Sequence, residues 1–321
     1  MFRTRPFRNT DVAEIVALWN RHMSGPNVAS PISSSEFEQF VLSRPYFEAA
    51  GLILAIDADE RIAGFVHCGF GPLDPHGHCW ELERALGTLA VLVAGHEPEL
   101  HETLIEAGIA YLRSRDAKVI YAGGRFPLNP FYWGLYGGSE LSGVLSSQPH
   151  VHQALTSCGF RTVAESVLFE YDLSKPEPRH LNNALLRRES RFHVLEDEPG
   201  ECSWTSLALE VFHPFGLKIT NRLETICIAR ATLWPMSLFG RNEGPSRIGL
   251  IDFHVEEEYR RKGYGRLLLT ESVKCVAELG YHVLCVQTDA TNEPATTLYD
   301  RSGFKRGESA AFYRLDAHGV S

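Results

Sequence analysis

The chain has 321 residues, enough for two domains of ordinary size, each able to bury its own core. Its 40 acidic and 31 basic side chains leave a formal charge of -9, which argues against non-specific binding to nucleic acid or to an anionic membrane. Any phosphate-bearing ligand must therefore meet a local basic site. With 44% hydrophobic and 22% charged residues the composition is that of a soluble globular protein. No run of roughly 18 apolar residues offers a membrane span, and the first residues lack the apolar core of a signal peptide. The seven cysteines are scattered and never form Cys-x-x-Cys, so they read as reduced core residues in a cytoplasmic protein.

In chain order, Phe2–Arg8 reads as a short strand. Asn9, Thr10 and Asp11 offer caps for a helix over Val12–Met23, where Val12, Ile15, Val16 and Trp19 share a face. A second helical stretch is expected near Ser35–Leu42. Gly51–Asp57 and Arg61–Phe70 read as paired strands, followed by a buried strand at Gly87–Ala94, a helix at Glu97–Arg115 and a strand at Lys118–Ala122. His150–Cys158 is a short helix closing on Gly159-Phe160, and Arg161–Tyr171 is a strand. Two prolines among charged residues in Asp172–Arg179 mark a linker. The second half then repeats the order: strand Phe192–Leu195, helix Glu201–Phe212, one or two strands in Leu223–Leu233, strand Arg247–Val255, helix Tyr264–Leu279, strand His282–Gln287, helix Glu293–Arg301 closing on Gly303-Phe304, and strand Ala310–Leu315. A duplicated α/β unit explains this economically. The expected division is residues 1–172, a linker at 173–179, and residues 180–321.

Chemistry concentrates in Phe253–Leu269. A buried strand ends at Val255, a short acidic turn follows, and Arg260-Arg261-Lys262-Gly263-Tyr264-Gly265 leads into a helix. Two glycines let the backbone turn with its amides converging on the positive end of the helix dipole, which is an anion nest suited to a pyrophosphate. Arg260, Arg261, Lys262 and Arg266 add positive charge in an acidic chain. The Walker pattern is absent, and the dinucleotide pattern lacks its third glycine, since Arg266, Leu267 and Leu268 follow Gly265. The bland alternative is a basic helix start with no ligand.

The later segment Asn292–Phe304, NEPATTLYDRSGF, changes the weighting. Together the two segments resemble the GNAT superfamily of N-acetyltransferases. Its cofactor signature, Gln/Arg-x-x-Gly-x-Gly/Ala, is matched by Arg260 to Gly265, and its later signature by Asn292, Ala295, Leu298-Tyr299 and Gly303-Phe304. The convincing match covers about Arg247–Leu315. The resemblance implies a fold of two tandem acyl-CoA N-acyltransferase units, each a central mixed β-sheet flanked by helices, with acetyl-CoA as co-substrate. It implies that the pyrophosphate sits on the amides of Arg261 to Arg266, that the pantetheine arm runs beside Phe253 and Val255, and that Asn292 helps hold the far arm. It also implies Tyr299 as general acid for the departing thiolate and the backbone N–H of Val255 as oxyanion donor. The alternative for Tyr299 is a core aromatic.

The base is less defined. Asp252 and His254 alternate with Phe253 and Val255 and so are expected on the opposite strand face, either as a base, since an imidazole can accept a proton, or as ordinary polar positions at a strand end. Glu224 and His213 are weaker candidates. No metal site is visible at ligand spacing.

Overlaying Gly159 on Gly303 shifts the numbering by 144 (303 − 159) and places Leu155 where Tyr299 stands and Gln148 where Asn292 stands. The counterpart of the cofactor loop falls near His96–Thr103, with Glu97, Glu99 and Glu102 and no glycine pair, so the first half is expected to have lost cofactor binding. Phe131, Tyr132, Trp133 and Tyr136, in the loop Pro127–Gly138, are candidates for an acceptor pocket, or for packing on their own core. The tandem layout resembles two-domain acetyltransferases of the mycothiol synthase type, without assigning that synthesis here. The expected function is transfer of an acetyl group to the amine of a small molecule. The alternatives are a protein or peptide N-acetyltransferase and a non-catalytic acyl-CoA-binding module.

Overall fold

The computed structural model describes residues 2–76, 80–178, 183–196, 203–241 and 244–316. The first half runs β1 (Arg3–Pro6), α1 (Val12–His22), α2 (Ser34–Phe37), β2 (Leu52–Ile56), β3 (Ile62–Pro72), β4 (Leu82–Ala94), α3 (Pro98–Ser114), β5 (Val119–Ala122), β6 (Val144–Leu145), α4 (Pro149–Ser157) and β7 (Arg161–Asp172). The second runs α5 (Asn183–Glu189), β8 (Ser190–Leu195), α6 (Ser203–Leu209), β9 (Phe215–Asn221), β10 (Cys227–Pro235), β11 (Arg247–Val255), α7 (Tyr264–Glu278), β12 (Val283–Asp289), α8 (Glu293–Arg301) and β13 (Lys305–Asp316). Of the one or two strands expected in Leu223–Leu233 there is one, β10, which starts at Cys227 and runs on to Pro235; β9 lies before that stretch and was not foreseen. Helix α5 was not foreseen, and the expected start of α6 at Glu201 lies outside the described residues.

Periodicity located α1 correctly, and Val12, Ile15, Val16 and Trp19 are all buried. Its cap was misread. Asn9–Asp11 forms a 3₁₀ turn, and no side chain caps α1. The Asp11 carboxylate instead accepts from the Arg5 guanidinium at 2.7 and 3.0 Å and from the Arg8 N–H at 2.7 Å. A charge-assisted bidentate pair outcompetes a single backbone donor.

The 13 strands of the described residues form one sheet, in the order β1-β2-β3-β4-β5-β13-β7-β12-β11-β10-β9-β8, with β6 beside β13. Among the described residues only β4/β5 and β11/β12 pair in parallel. The last strand of each half crosses over: β13 inserts between β5 and β7, and β7 pairs with β12. The halves are thereby sewn together by backbone hydrogen bonds.

The two halves repeat each other at their C-terminal ends. Helices α4 and α8 begin at 149 and 293 and end at 157 and 301, and β7 and β13 run from 161 and 305 to 172 and 316, a constant shift of 144. Burial along β7 and β13 agrees at the first eleven of twelve positions. On one face of the sheet a single apolar cluster joins the halves, taking Trp19 from α1, Trp204 from α6 and Trp234 from β10. On the other face each half keeps its own cluster, beneath α3 and beneath α7. None of the five described cysteines is in a disulfide. No described helix is long and apolar enough to cross a membrane.

Candidate active site

The site begins where two parallel strands part. β11 and β12 pair from Arg247/Val283 to Leu250/Val286, and no further. Just beyond, β11 carries one extra residue against β10: Arg230 pairs with His254 and Thr232 with Ile251. Asp252 takes φ +50° there, the left-handed conformation of a bulge. The bulge bends β11 away from β12 and opens a V-shaped gap. It also breaks the alternation expected from the sequence. Asp252, Phe253, His254 and Val255 all line the same cavity rather than two opposite faces.

That cavity has a volume of about 1290 Å³. Glu256 N–H donates to Ile228 O at 2.9 Å on the β10 side. By alternation the N–H and C=O of Val255 point to the other edge, and there the carbonyl accepts from Arg260 Nε at 2.9 Å. Arg260 thus ties the basic loop to the strand end. Gly263 is the N-cap of α7 at φ +100°, a conformation that side-chain-bearing residues rarely adopt. The N–H groups of Tyr264, Gly265 and Arg266 have no partner within the helix, and Leu267 is the first to bond back, to Gly263 O at 3.0 Å. Arg230, Arg260, Arg261, Arg266 and Arg301 line the same space. A helix N-terminus with this much positive charge favours an anion over a cation.

Of the residues expected at the site, Tyr299, Asp252, His254, Phe253, Val255, Arg260, Arg261, Gly263, Gly265, Arg266 and Asn292 all line the cavity. Lys262 and Tyr264 do not. Lys262 is exposed with its ammonium 5.4 Å from the Tyr259 ring centroid, and Tyr264 is buried edge-on against that ring at 5.6 Å. Asn292 also has a structural task, its side-chain oxygen capping α8 by accepting from Ala295 N–H at 3.2 Å. His254 Nε2 lies 3.7 Å from Glu256. His213 and Glu224 are exposed and away from the cavity.

Tyr299 is 3% exposed, its ring packed on Phe169 and Phe304 with centroids 5.3 and 5.6 Å away. Its hydroxyl makes no hydrogen bond among the described residues, although the residue lines the cavity. Burial, with a smaller contribution from the charge of Glu140, pushes its phenol above the ordinary value and keeps it a proton donor.

Glu140 was missed by sequence reasoning. It comes from the first half, on the loop before β6, and sits half-buried in the cavity wall with Leu141 and Ser142. Burial first, then the like charge of Asp252, push its carboxyl up to about 8; Arg125 opposes this and Asp289 adds to it. Arg125 also reaches across the halves to form an ion pair with Asp289. The aromatic residues offered as an acceptor pocket do something else. Phe131, Tyr132, Trp133 and Tyr136 are buried in the apolar cluster that joins the halves and none of them lines this cavity.

The first half keeps the same gap and has closed it. β4 and β5 pair from Leu86/Val119 to Leu89/Ala122, and β4 then carries an extra residue, Ala90, against β3. What remains is a pocket of about 20 Å³, lined by Gln148 and Leu155 among others, the counterparts of Asn292 and Tyr299. Tyr136 fills it. Its hydroxyl donates to Gln148 Oε1 at 2.6 Å and accepts from Leu145 N–H at 2.9 Å. The connection from strand to helix is also cut from residues 256–263 to residues 95–97. Glu97 stands at the N-cap where the second half has Gly263. Among the described residues no group of three or more His, Cys, Asp or Glu is placed to hold a metal ion.

Comparison with known proteins fits this architecture. The family described as "Acetyltransferase (GNAT) family" matches residues 169–304. A mycothiol acetyltransferase of Pseudarthrobacter chlorophenolicus is 37% identical over 59 residues, and one of Arthrobacter sp. is 36% identical over 59 residues. Each match covers only 18% of this chain and 18% of the relative's own length. Among solved structures, a tandem GNAT protein from the clavulanic acid biosynthesis pathway superposes with a TM-score of 0.67 at 12% identity, covering 100% of both chains. The glucosamine N-acetyltransferase region of a fungal multi-domain β-N-acetylglucosaminidase gives 0.68 at 17% identity, over 98% of this chain and 38% of that one. Residues 169–304 thus match the acetyltransferase (GNAT) family, and the whole chain has the fold of the tandem GNAT proteins.

Proposed function

We propose that the chain is an N-acyltransferase that moves an acetyl group from acetyl-CoA to the amine of a small molecule, using the cavity of the second half. The observation that carries this reading is a single 1290 Å³ space joining the glycine-arginine start of α7, the unpaired edge of β11 and Tyr299. Phosphates, an extended amide-bearing arm and a thioester require those three features in that succession. On this reading the amides of Arg261 to Arg266 and the flanking arginines hold the pyrophosphate. The free edge of β11 pairs with the arm, and Val255 N–H donates to the oxyanion. Tyr299 gives its phenolic proton to the departing thiolate. Asp252 and His254, at the bulge, stand on the acceptor side.

The same reading takes residues 1–172 as a degenerate copy and residues 180–321 as the catalytic one, joined by the linker at 173–179. A bulge without a glycine cradle, filled by Tyr136, supports it. The test is to incubate the purified chain with acetyl-CoA and a panel of primary amines, following release of the CoA thiol and the mass of the product. Thiol release coupled to an acetylated amine is expected. Binding of acetyl-CoA without transfer to any amine would leave an acyl-CoA-binding module instead.

A further inference from the structure

The loop that seals the first half's gap continues directly into the wall of the second half's cavity. Tyr136 is the plug, and Glu140 follows four residues later. Between them the chain turns on Gly137 and Gly138, at φ +104° and +95°. Side chains from neighbouring strands fix this turn. Trp234 Nε1 on β10 donates to Ser139 O at 2.9 Å, and Ser166 Oγ on β7 donates to Ser142 O at 2.7 Å. Gln287 on β12, with its amide nitrogen turned inward, donates to Gly137 O at 3.1 Å and to Glu140 O at 3.2 Å. The backbone of Glu140 is therefore held by both halves, while its carboxylate has no hydrogen bond or ion pair among the described residues. It is a positioned acid group with its chemistry unspent, in the same cavity as Tyr299.

We propose that Glu140, supplied by the catalytically silent half, is the general base of the second half's transfer reaction, and that the acceptor amine arrives as a cation. The proposal rests on the acyl-transfer reading above. Asp252 from β11 and Asp289 from β12 face Glu140, with Arg125 from the β5–β6 loop as the opposing charge and Tyr299 from α8 as the neutral neighbour. Glu165 of β7 lines the same space. Such a wall favours an ammonium over a neutral or anionic acceptor. Glu140 takes one proton from the ammonium. The neutral nitrogen then bonds to the thioester carbon, the C–S bond breaks, and Tyr299 protonates the leaving sulfur. The second nitrogen proton restores the phenol through solvent, and Glu140 releases its proton to water, so one proton is freed per amide formed. Its raised pKa suits this work, since a base that titrates near the operating pH both holds and releases a proton readily.

The test compares wild type, Glu140→Gln and Glu140→Asp with two nucleophiles and acetyl-CoA as donor. n-Butylamine is a cation at neutral pH and needs a base; hydroxylamine is neutral there and does not. Acetyl-CoA binding is measured in parallel by calorimetry. With butylamine, wild-type kcat/KM should rise with pH through a limb near about 8. In Glu140→Gln that limb should vanish and the rate should fall ~10²-fold or more. Hydroxylamine transfer and acetyl-CoA affinity should change less than ~tenfold, and Glu140→Asp should keep a limb at reduced rate. A Glu140→Gln variant with the wild-type profile, or with equal losses for both nucleophiles, overturns the assignment of the base. Wild type that binds acetyl-CoA yet transfers only to hydroxylamine overturns the cationic acceptor. Wild type that does not bind acetyl-CoA at all overturns the acyl-transfer reading itself, and this proposal with it.

Discussion

Replacing Tyr299 with Phe removes one oxygen atom and leaves the ring packing intact. The ring holds its place against Phe169 and Phe304, and the hydroxyl has no protein partner among the described residues. A typical hydrogen bond contributes about 1 kcal/mol, and here none is lost, so stability should change by less than ~0.5 kcal/mol. Catalysis should respond very differently. A positioned general acid contributes ~10²–10⁴-fold, which at about 1.36 kcal/mol per tenfold is roughly 2.7–5.4 kcal/mol of barrier. The assay is CoA thiol release at saturating acetyl-CoA, with denaturant melts and calorimetric affinity on the same samples. The expected result is a large loss of turnover with stability and cofactor affinity unmoved. Unchanged turnover would make Tyr299 a core aromatic. A fall in stability above ~1 kcal/mol that tracks the loss of activity would mean the hydroxyl is structural after all.

Tyr136→Ala should empty the sealed gap of the first half and cost ~3–5 kcal/mol of stability, as large-to-small core substitutions do. It should not create a second acetyl-CoA site, because residues 95–97, Gly-His-Glu, offer neither a glycine pair nor an arginine; a second site in calorimetry would contradict this. His67 is buried with Nδ1 3.1 Å from the Tyr132 hydroxyl and no partner for Nε2 among the described residues, and burial lowers its pKa from 6.5 to about 3. The unfolded chain binds that proton first, so the stability tied to neutral His67 is full above about pH 6.5 and is lost as pH falls from there toward about 3. The loss should be on the order of 4–5 kcal/mol, and His67→Phe should flatten that part of a pH-dependent denaturation series. A variant with the wild-type slope would assign acid sensitivity elsewhere.

The fold of the second half was legible because its motifs are local. The glycine-arginine loop and the Asn292–Phe304 segment are contiguous, and the bounds of β11 and α8 were read correctly. The 144-residue shift was equally readable, since Gly159 and Gly303 both end a helix in the left-handed conformation. The crossing of β13 and β7 was not, because which strands pair across a sheet is decided by long-range packing that leaves no local pattern. The bulge at Asp252 defeated a sound argument from alternation: one extra residue turns a two-sided strand end into one lining. Glu140 was invisible for a related reason. A single acidic residue in a glycine- and aromatic-rich loop carries no motif, and it acquires meaning only when Trp234, Ser166 and Gln287 fix the loop over the other half's cavity. The aromatics beside it were noticed, but the choice between an acceptor pocket and core packing stayed open in the sequence, since both call for the same residue types.

The central claim is one live acyl-CoA site beside a sealed one. Calorimetric titration of acetyl-CoA into the purified chain tests it most directly, with Gly263→Asp as the paired variant. The added Cβ would sit 3.2 Å from Leu186 Cδ1 in a left-handed backbone, and its carboxylate would stand in the proposed phosphate cradle. The account predicts one site per chain in wild type and none in the variant, with the fold retained by circular dichroism. Two sites per chain, or unchanged affinity in Gly263→Asp, would contradict it.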